Sequence, residues 1–144
     1  MNDDDLAVLA HEFSADEGSF LEKMYRLKWD KGAFTRLTNA MFACCQAYDA
    51  AEQRARGADR GLDTTPVPRW LADGFWYVSA DVRDFTMHWK EVTGPEQDYY
   101  DAAYERLHLL AYWFFTGDSP TPTHSTDSHR CRRTSRHDIT AQLP

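Results

Sequence analysis

The 144-residue sequence predicts an all-α protein, a compact bundle of about five helices with a disordered C-terminal tail. Apolar residues recur every three or four positions through most of the chain, as they do on the buried face of a helix. Strict apolar–polar alternation and Asn-Gly hairpin turns, which are typical of strands, do not occur. After Gly117 the aromatic residues cease and Ser, Thr, Pro and Arg dominate. We therefore divide the chain into a helical bundle domain, 1–117, and a tail, 118–144.

Acidic residues and cap motifs mark the first two helices. The run Asp3–Asp5 suits the positive end of a helix. Ser14-Ala-Asp-Glu17 has the pattern of a capping box, so we expect the second helix to begin there. The residues expected to face the core from these helices are Leu6, Leu9, Phe13, Phe20, Leu21, Met24 and Leu27.

Three longer helices follow, each with an apolar seam that should face the core. Asp30 is the predicted N-cap of the third helix, and the fourth should run from about Arg69 to Trp89. Thr93-Gly-Pro-Glu96 should begin the fifth helix, which ends at the C-cap Gly117. We expect this last helix at or near the centre, because its final turns are apolar on every side. The predicted seams are Phe34, Leu37, Met41, Cys44, Tyr48, Ala51 and Ala55, then Leu71, Phe75, Val78, Val82, Phe85 and Trp89, then Tyr100, Ala103, Leu107, Leu110, Ala111 and Phe114.

The charge balance limits the kinds of partner. The chain has 23 acidic and 16 basic residues, a formal net charge of −7. The tail contains four Arg and three Asp, so residues 1–117 hold 20 acidic and 12 basic residues, a net charge of −8. An acidic surface repels phosphate backbones and anionic membranes, which argues against nucleic-acid and membrane partners. A basic protein surface is the better electrostatic match.

Several features predict a cytoplasmic protein. The N-terminus is acidic where a signal peptide has a basic region, and the longest strongly apolar run, Leu109–Phe115, is too short to cross a bilayer. The cysteine count of three is odd. Cys44 and Cys45 are neighbours on a predicted helix and point in different directions, so they cannot form an unstrained bridge. We expect these thiols to serve as packing groups.

A second stripe on the fourth helix lies beside its seam. It comprises Trp70, Tyr77, Asp81, Asp84 and His88. Their spacing places them on one helical face, where rings could stack on a small molecule and Asp84 could orient His88. Tyr104 and His108 of the fifth helix are candidates for the opposite wall of such a pocket. The alternative is a half-exposed flank whose ion pairs contribute little.

Four large apolar residues lie on helical faces that would be exposed to solvent in an amphipathic helix. They are Trp76, Met87, Leu109 and Trp113. Neighbouring helices in a small domain can cover some of these side chains, and we expect at least two to be exposed. Exposed aromatic residues and methionines are typical of interface cores, so these four are the predicted partner-binding residues. Burial of this excess in the centre of the bundle is the alternative.

The sequence contains no motif for catalysis, a cofactor or a metal ion. Neither a Gly-rich phosphate loop nor Gly-x-Ser-x-Gly occurs. His11-Glu12 lacks the second histidine of a zinc-protease helix. His124, His129, Cys131 and His137 lack zinc-finger spacing. We therefore predict no catalytic residue, no cofactor and no metal site.

Two functional hypotheses follow from these observations. The preferred one is a small acidic protein-binding module, of the immunity, antitoxin or adaptor kind, that engages a basic protein or a second copy through aromatic surface residues. The alternative is a small-molecule-binding protein or a minor enzyme that uses the stripe of the fourth helix together with His108. The second hypothesis requires the two rows to face each other across one pocket.

Overall fold

The structure is a computed structural model that describes residues 3–57, 67–87, 89 and 96–119. Within these residues the backbone forms five packed α-helices and no strand, which confirms the predicted all-α bundle. The helices are α1 (Asp3–Glu12), α2 (Phe20–Tyr25), α3 (Lys31–Gly57), α4 (Arg69–Thr86) and α5 (Gln97–Thr116). None of these helices is long and apolar enough to span a membrane. Of the predicted tail, only Asp118 and Ser119 lie within the described residues.

Two predicted helix caps are confirmed. The Asp30 carboxylate accepts the Ala33 N–H at 3.0 Å and so begins α3. At the other end of the bundle, Gly117 adopts the left-handed conformation (φ 74°) and donates its N–H to the Trp113 carbonyl at 2.8 Å. Glycine reaches this conformation without a steric penalty, so α5 ends there.

The predicted start of α2 is wrong. Its N-cap is Ser19, whose hydroxyl accepts the Glu22 N–H at 3.1 Å, and the helix begins at Phe20. Ser14 instead closes the end of α1, because its hydroxyl donates to the His11 carbonyl at 2.7 Å. The later start follows from Glu12, whose carboxylate accepts the Phe20 N–H at 2.7 Å and fixes the first residue of α2.

Glu12 is a buried carboxylate that joins three helices. Its side chain is only 1 % exposed. One carboxylate oxygen accepts the Phe20 N–H of α2, and the other accepts Nε of Arg36 in α3 at 2.8 Å. A buried carboxylate is tolerated only when it is paired and hydrogen-bonded, and both conditions are met here.

The central helix of the bundle is α3, and α5 lies beside it. The long helix α3 packs against α1, α2 and α5, whereas α5 packs mainly against α3 and α4. The seam of α3 therefore meets neighbours on several sides, and Leu37, Met41 and Cys44 are fully buried. The outer face of α5 has no covering helix within the described residues, and Tyr112 and Phe115 are exposed there.

Most of the predicted seam residues are buried, with three clear exceptions. Leu27, Ala51 and Phe85 are exposed. Trp89, predicted as the last residue of α4, lies three residues beyond the observed end of that helix but is buried. The two helices α4 and α5 are joined by Phe75 and Phe114, whose rings stack with centroids 4.0 Å apart.

Two further contacts fix the positions of α1, α2 and α5. A Cβ at Gly74 of α4 would lie 2.2 Å from the Phe13 ring, so only glycine allows this approach of α1 to α4. Trp29, between α2 and α3, donates its indole N–H to the Tyr99 hydroxyl at 3.2 Å. The rings in contact with Trp29 are those of Phe20, Phe34, Tyr99, Tyr100 and Tyr104.

Candidate functional site

The structure does not bring the two predicted rows of ligand-binding residues together. Tyr77 of α4 faces α2, where its hydroxyl lies 2.6 Å from that of Tyr25. Tyr104 of α5 approaches α4 elsewhere, with its hydroxyl 2.6 Å from that of Thr86. His88, the proposed partner of Asp84, lies outside the described residues. The pocket that would combine the stripe of α4 with Tyr104 and His108 is therefore not formed within the described part of the chain.

Tyr104 and His108 line a different cleft, between α4 and α5. Its volume is about 370 Å³, and it is lined by Val78, Ser79, Arg83, Asp101, Tyr104, Glu105, Leu107 and His108. The Arg83 guanidinium lies 6.0 Å from the centroid of the Tyr104 ring, at the limit of a cation–π contact. Burial raises the pKa of Tyr104, so its hydroxyl stays protonated at neutral pH. The cleft thus offers charges of both signs around a neutral phenol.

Exposed apolar side chains share helical faces with the residues of this cleft. Trp76 precedes the cleft residue Ser79 by three positions, and Met87 follows Arg83 by four, so both lie on the same flank of α4. On α5, Tyr112 and Phe115 follow His108 by four and seven positions. All four side chains are exposed. We refer to Trp76, Met87, Tyr112 and Phe115 with the intervening cleft as the α4–α5 surface.

Three of the four predicted partner-binding residues are exposed, which confirms the expectation that at least two would be. Trp76 is 66 % exposed, Met87 54 % and Leu109 37 %. Leu109 lies one turn before Trp113, on the side of α5 that meets α3, and so stands apart from Trp76.

Trp113, the fourth of these residues, is buried. Its side chain is only 5 % exposed, because the ring packs edge-on against Phe42 of α3 at 5.5 Å. Its indole N–H donates to the Asp49 carboxylate at 2.8 Å. A buried tryptophan with its N–H satisfied is a core residue.

A second group of apolar residues, exposed except for the half-buried Tyr77, lies between α2 and α4, and most of it could not be found from helical periodicity. The Tyr25 ring meets Phe85 edge-on at 5.6 Å, while its hydroxyl pairs with that of Tyr77. Leu27, just beyond α2, is 63 % exposed. We refer to Tyr25, Leu27, Tyr77 and Phe85 as the α2–α4 surface. The sequence contains one indication of this surface, because Leu27 follows the end of α2 at a position where glycine is common.

The remaining stripe residues border this second surface. Asp81 and Asp84 are exposed on α4, and neither forms an ion pair within the described residues. Trp70 is exposed near the start of the same helix. Burial, followed by the hydrogen bond with Tyr25 and the nearby Asp81 carboxylate, raises the pKa of Tyr77. Trp70, Asp81 and Asp84 thus lie on an exposed flank of α4, with Tyr77 half-buried among them.

The thiols of α3 are packing groups, as predicted. Cys44 and Cys45 are both buried and free. Burial raises the pKa of each thiol to about 12. A thiol that stays protonated is a poor nucleophile and a poor metal ligand. No group of three or more His, Cys, Asp or Glu side chains in the described ranges is placed to hold a metal ion.

Comparison with known proteins gives no relative from which a role could be carried over. No family model matches the chain, and neither a curated protein nor a solved structure matches it.

Proposed function

We propose that this chain is a small protein-binding module that engages a basic protein partner through the α4–α5 surface. The observation that carries the proposal is the exposure of Trp76 and Met87 on α4 and of Tyr112 and Phe115 on α5, on the helical faces that border the cleft. Soluble domains rarely leave several large apolar side chains together in water, and tryptophan and tyrosine are the residues that most often dominate binding energy.

The charge of the domain supports a basic partner. Residues 1–117 carry a net charge of −8, and Asp101 and Glu105 line the cleft within the α4–α5 surface. A negative field steers a basic surface into encounter, and the apolar groups then hold it. Arg83 in the same cleft adds specificity, since the partner must place a carboxylate or a carbonyl group near it.

A module of this kind would act by covering or bridging its partner, as an immunity protein, an antitoxin or an adaptor does. We also propose that it works in the cytoplasm. Two buried, free cysteines on one helix suit a reducing compartment, where no oxidation would disturb the packing of α3.

The test is affinity capture from the native lysate with the full chain and two variants. Trp76→Ser combined with Met87→Ser should abolish capture, because it removes the apolar anchors of the α4–α5 surface. Leu109→Ser is the matched control, since it removes an exposed apolar side chain on another side of α5 and should leave capture intact. Circular dichroism must show the same helical content in all three proteins. Equal capture by the double variant and the wild type would refute this role for the surface.

The cleft itself supports a second candidate, a small-molecule-binding function. A volume of about 370 Å³ lined by Arg83, Asp101 and Glu105 suits a small zwitterion, which presents both charges at once. Titration of the full chain with a mixture of free amino acids, followed by NMR, tests this. Saturable shifts at Tyr104 and His108 that disappear in Arg83→Gln would favour it, and their absence would eliminate this class of ligand.

A further inference from the structure

Leu27 occupies a backbone position that is usually taken by glycine. Helix α2 ends in a Schellman motif, in which the Lys28 N–H donates to the Lys23 carbonyl and the Leu27 N–H to the Met24 carbonyl, both at 2.9 Å. The motif requires a left-handed residue after the C-cap, and Leu27 has φ 58°. Glycine adopts this conformation without steric cost, whereas a leucine does not.

Packing does not compensate for this strain. The Leu27 side chain is 63 % exposed, so it gains little from burial within the described part of the chain. Leucine adopts this left-handed backbone conformation less readily than glycine, and it exposes more apolar area to water than a polar residue would. Neither local structure nor the core explains it, which directs attention to what the side chain would contact outside the domain.

Tyr25, two residues before Leu27, contacts Tyr77 and Phe85 of α4, and these three rings form an apolar platform. Tyr25 is held by its hydroxyl bond to Tyr77 at 2.6 Å and by its edge-on contact with Phe85 at 5.6 Å. Phe85 in turn meets the buried Trp89 edge-on at 6.2 Å. Side chains fixed before binding lose little conformational freedom when a partner arrives, which favours affinity.

The charges around the platform have a definite arrangement. Asp81 and Asp84 border it on α4 without an ion-pair partner among the described residues. On the α2 side, Arg26 is paired with Glu22, and Lys28 follows Leu27 directly. A basic group would therefore be attracted to the α4 edge of the platform and repelled from the α2 edge. This complementarity gives a docked segment a preferred direction.

We propose that the α2–α4 surface docks a segment of a partner protein that carries lysine or arginine beside large apolar side chains. The apolar groups lie on Leu27, Tyr25 and Phe85, and the basic groups meet Asp81 and Asp84. This surface is separate from the α4–α5 surface, because Phe85 and Trp76 are nine residues apart and point to opposite sides of α4. The inference therefore stands or falls independently of the proposed function.

The test uses the full 144-residue chain, labelled with ¹⁵N, and two synthetic peptides. Each peptide has about 15 residues with leucines on one helical face, and the other face carries lysines in one peptide and glutamates in the other. The lysine peptide should shift the amide signals of Tyr25, Leu27 and Phe85 in a saturable manner. The glutamate peptide should not shift these signals.

Variants separate the roles of strain, apolar contact and charge. Leu27→Gly should raise the melting temperature by about 3 °C, because glycine suits the left-handed position. The same variant should lower the affinity for the lysine peptide about tenfold, because it removes an apolar contact. Asp81→Asn with Asp84→Asn should weaken binding by a similar factor and reduce its salt dependence. Val67→Ser, which removes an exposed apolar side chain outside both named surfaces, is the matched control and should leave the affinity unchanged.

Several results would overturn the proposal. It is wrong if Leu27→Gly leaves the affinity unchanged, if both peptides bind equally well, or if neither binds at millimolar concentration. Binding to phosphatidylcholine vesicles that is lost in Leu27→Gly would assign the surface to a membrane instead. Concentration-dependent sedimentation that is lost in the same variant would assign it to a second copy of the chain. None of these results bears on capture through Trp76, which tests the proposed function.

Discussion

Glu12 and Leu27 depart from the usual burial pattern in opposite directions. Glu12 is a charged group at 1 % exposure, and Leu27 is an apolar group at 63 % exposure. The structure supplies the partners of Glu12, since the Phe20 N–H and the Arg36 guanidinium take one carboxylate oxygen each. Among the described residues, no contact of comparable strength holds the Leu27 side chain, and its backbone conformation adds a cost.

The two residues differ in where their partners must lie. A buried polar group must be satisfied inside the fold, because water cannot reach it. An exposed apolar group can be satisfied only from outside. Glu12 is thus explained by stability, and Leu27 is better explained by binding.

Leu37→Ala provides the scale for an ordinary core residue and should have the largest effect. The side chain is fully buried in the seam of α3, so its removal should lower the free energy of unfolding by about 2–5 kcal/mol through lost burial and a residual cavity. Chemical denaturation measures this value. Met41→Ala, at an equally buried site of the same seam, should fall in the same range. A loss below about 1 kcal/mol at both positions would contradict the role of α3 as the central helix.

Glu12→Ala should lower the free energy of unfolding by about 2–3 kcal/mol, nearly as much as a core truncation. The substitution leaves the Phe20 N–H without its acceptor and removes the partner of Arg36. The half-exposed position of Arg36 limits the cost, because water can solvate its guanidinium. Glu12→Gln is the matched control and should cost less, since its amide oxygen can still accept one of the two bonds. Equal stability of Glu12→Ala and the wild type would show that the buried carboxylate is not structural.

The fold was largely predictable because the long helices carry regular seams. Leu37, Val78 and Leu107 are buried as their spacing predicts. The capping-box pattern at Ser14 predicted the wrong start for α2, because the position of Phe20 is set by its hydrogen bond to Glu12 of α1 and not by the local motif. The central position of α3 could not be predicted from periodicity either, because periodicity indicates which face of a helix is buried but not which helix packs against it.

The candidate surfaces were predictable only in part. Trp76 and Met87 are exposed as their helical positions indicate. Trp113 occupies a similar position but finds Asp49 and Phe42, more than sixty residues away in the sequence. Leu27 was assigned to the core because spacing alone cannot show that the helix has ended two residues earlier. Contacts between distant segments decided each of these cases.

Gly74→Ala should lower the free energy of unfolding by about 1–3 kcal/mol, although alanine is ordinarily the better helix former. An added Cβ would lie 2.2 Å from the Phe13 ring, so α1 must move away from α4. Phe13→Ala is the informative partner variant. In its presence the substitution at Gly74 should become neutral or stabilising, since the clash is gone. Thermal denaturation of the two single variants and the double variant measures this coupling, and additive effects would contradict it.

Asp30 lies between the extremes of Glu12 and Leu27, being a partly exposed carboxylate with partners. The hydrogen bond from Lys23 and the bond from the Ala33 N–H hold the pKa of Asp30 at about 2, below its ordinary value of 3.8. Its ionised form therefore stabilises the fold above pH 4, and this contribution is lost as the pH falls toward 2. Because the pair is partly solvated, we expect about 1 kcal/mol. In Asp30→Asn the decline of stability between pH 4 and 2 should be shallower, and an unchanged profile would refute the stabilising role of the ionised carboxylate.

Removal of residues 120–144 should have the smallest effect, less than about 0.5 kcal/mol on the free energy of unfolding. The truncated chain keeps the end of α5 intact, including the bond from Gly117 to Trp113 and the one from the Asp118 N–H to the Thr116 hydroxyl at 3.1 Å. The removed segment contains no aromatic residue, and Ile139 and Leu143 are its largest apolar residues.

The removed segment carries four arginines and residues 1–117 have a net charge of −8, so any stabilisation by the tail should be electrostatic and should vanish as salt is added. Replacing the four arginines by glutamine in the full chain separates this charge effect from the effect of the chain itself. The same truncation tests whether the tail covers Leu27. If its amide signal and those of Tyr25 and Phe85 are unchanged by the deletion, the tail does not cover the α2–α4 surface. A shift of these signals, with a melting temperature several degrees lower, would instead assign the surface to the chain's own C-terminal segment, and the case for an external partner there would fail.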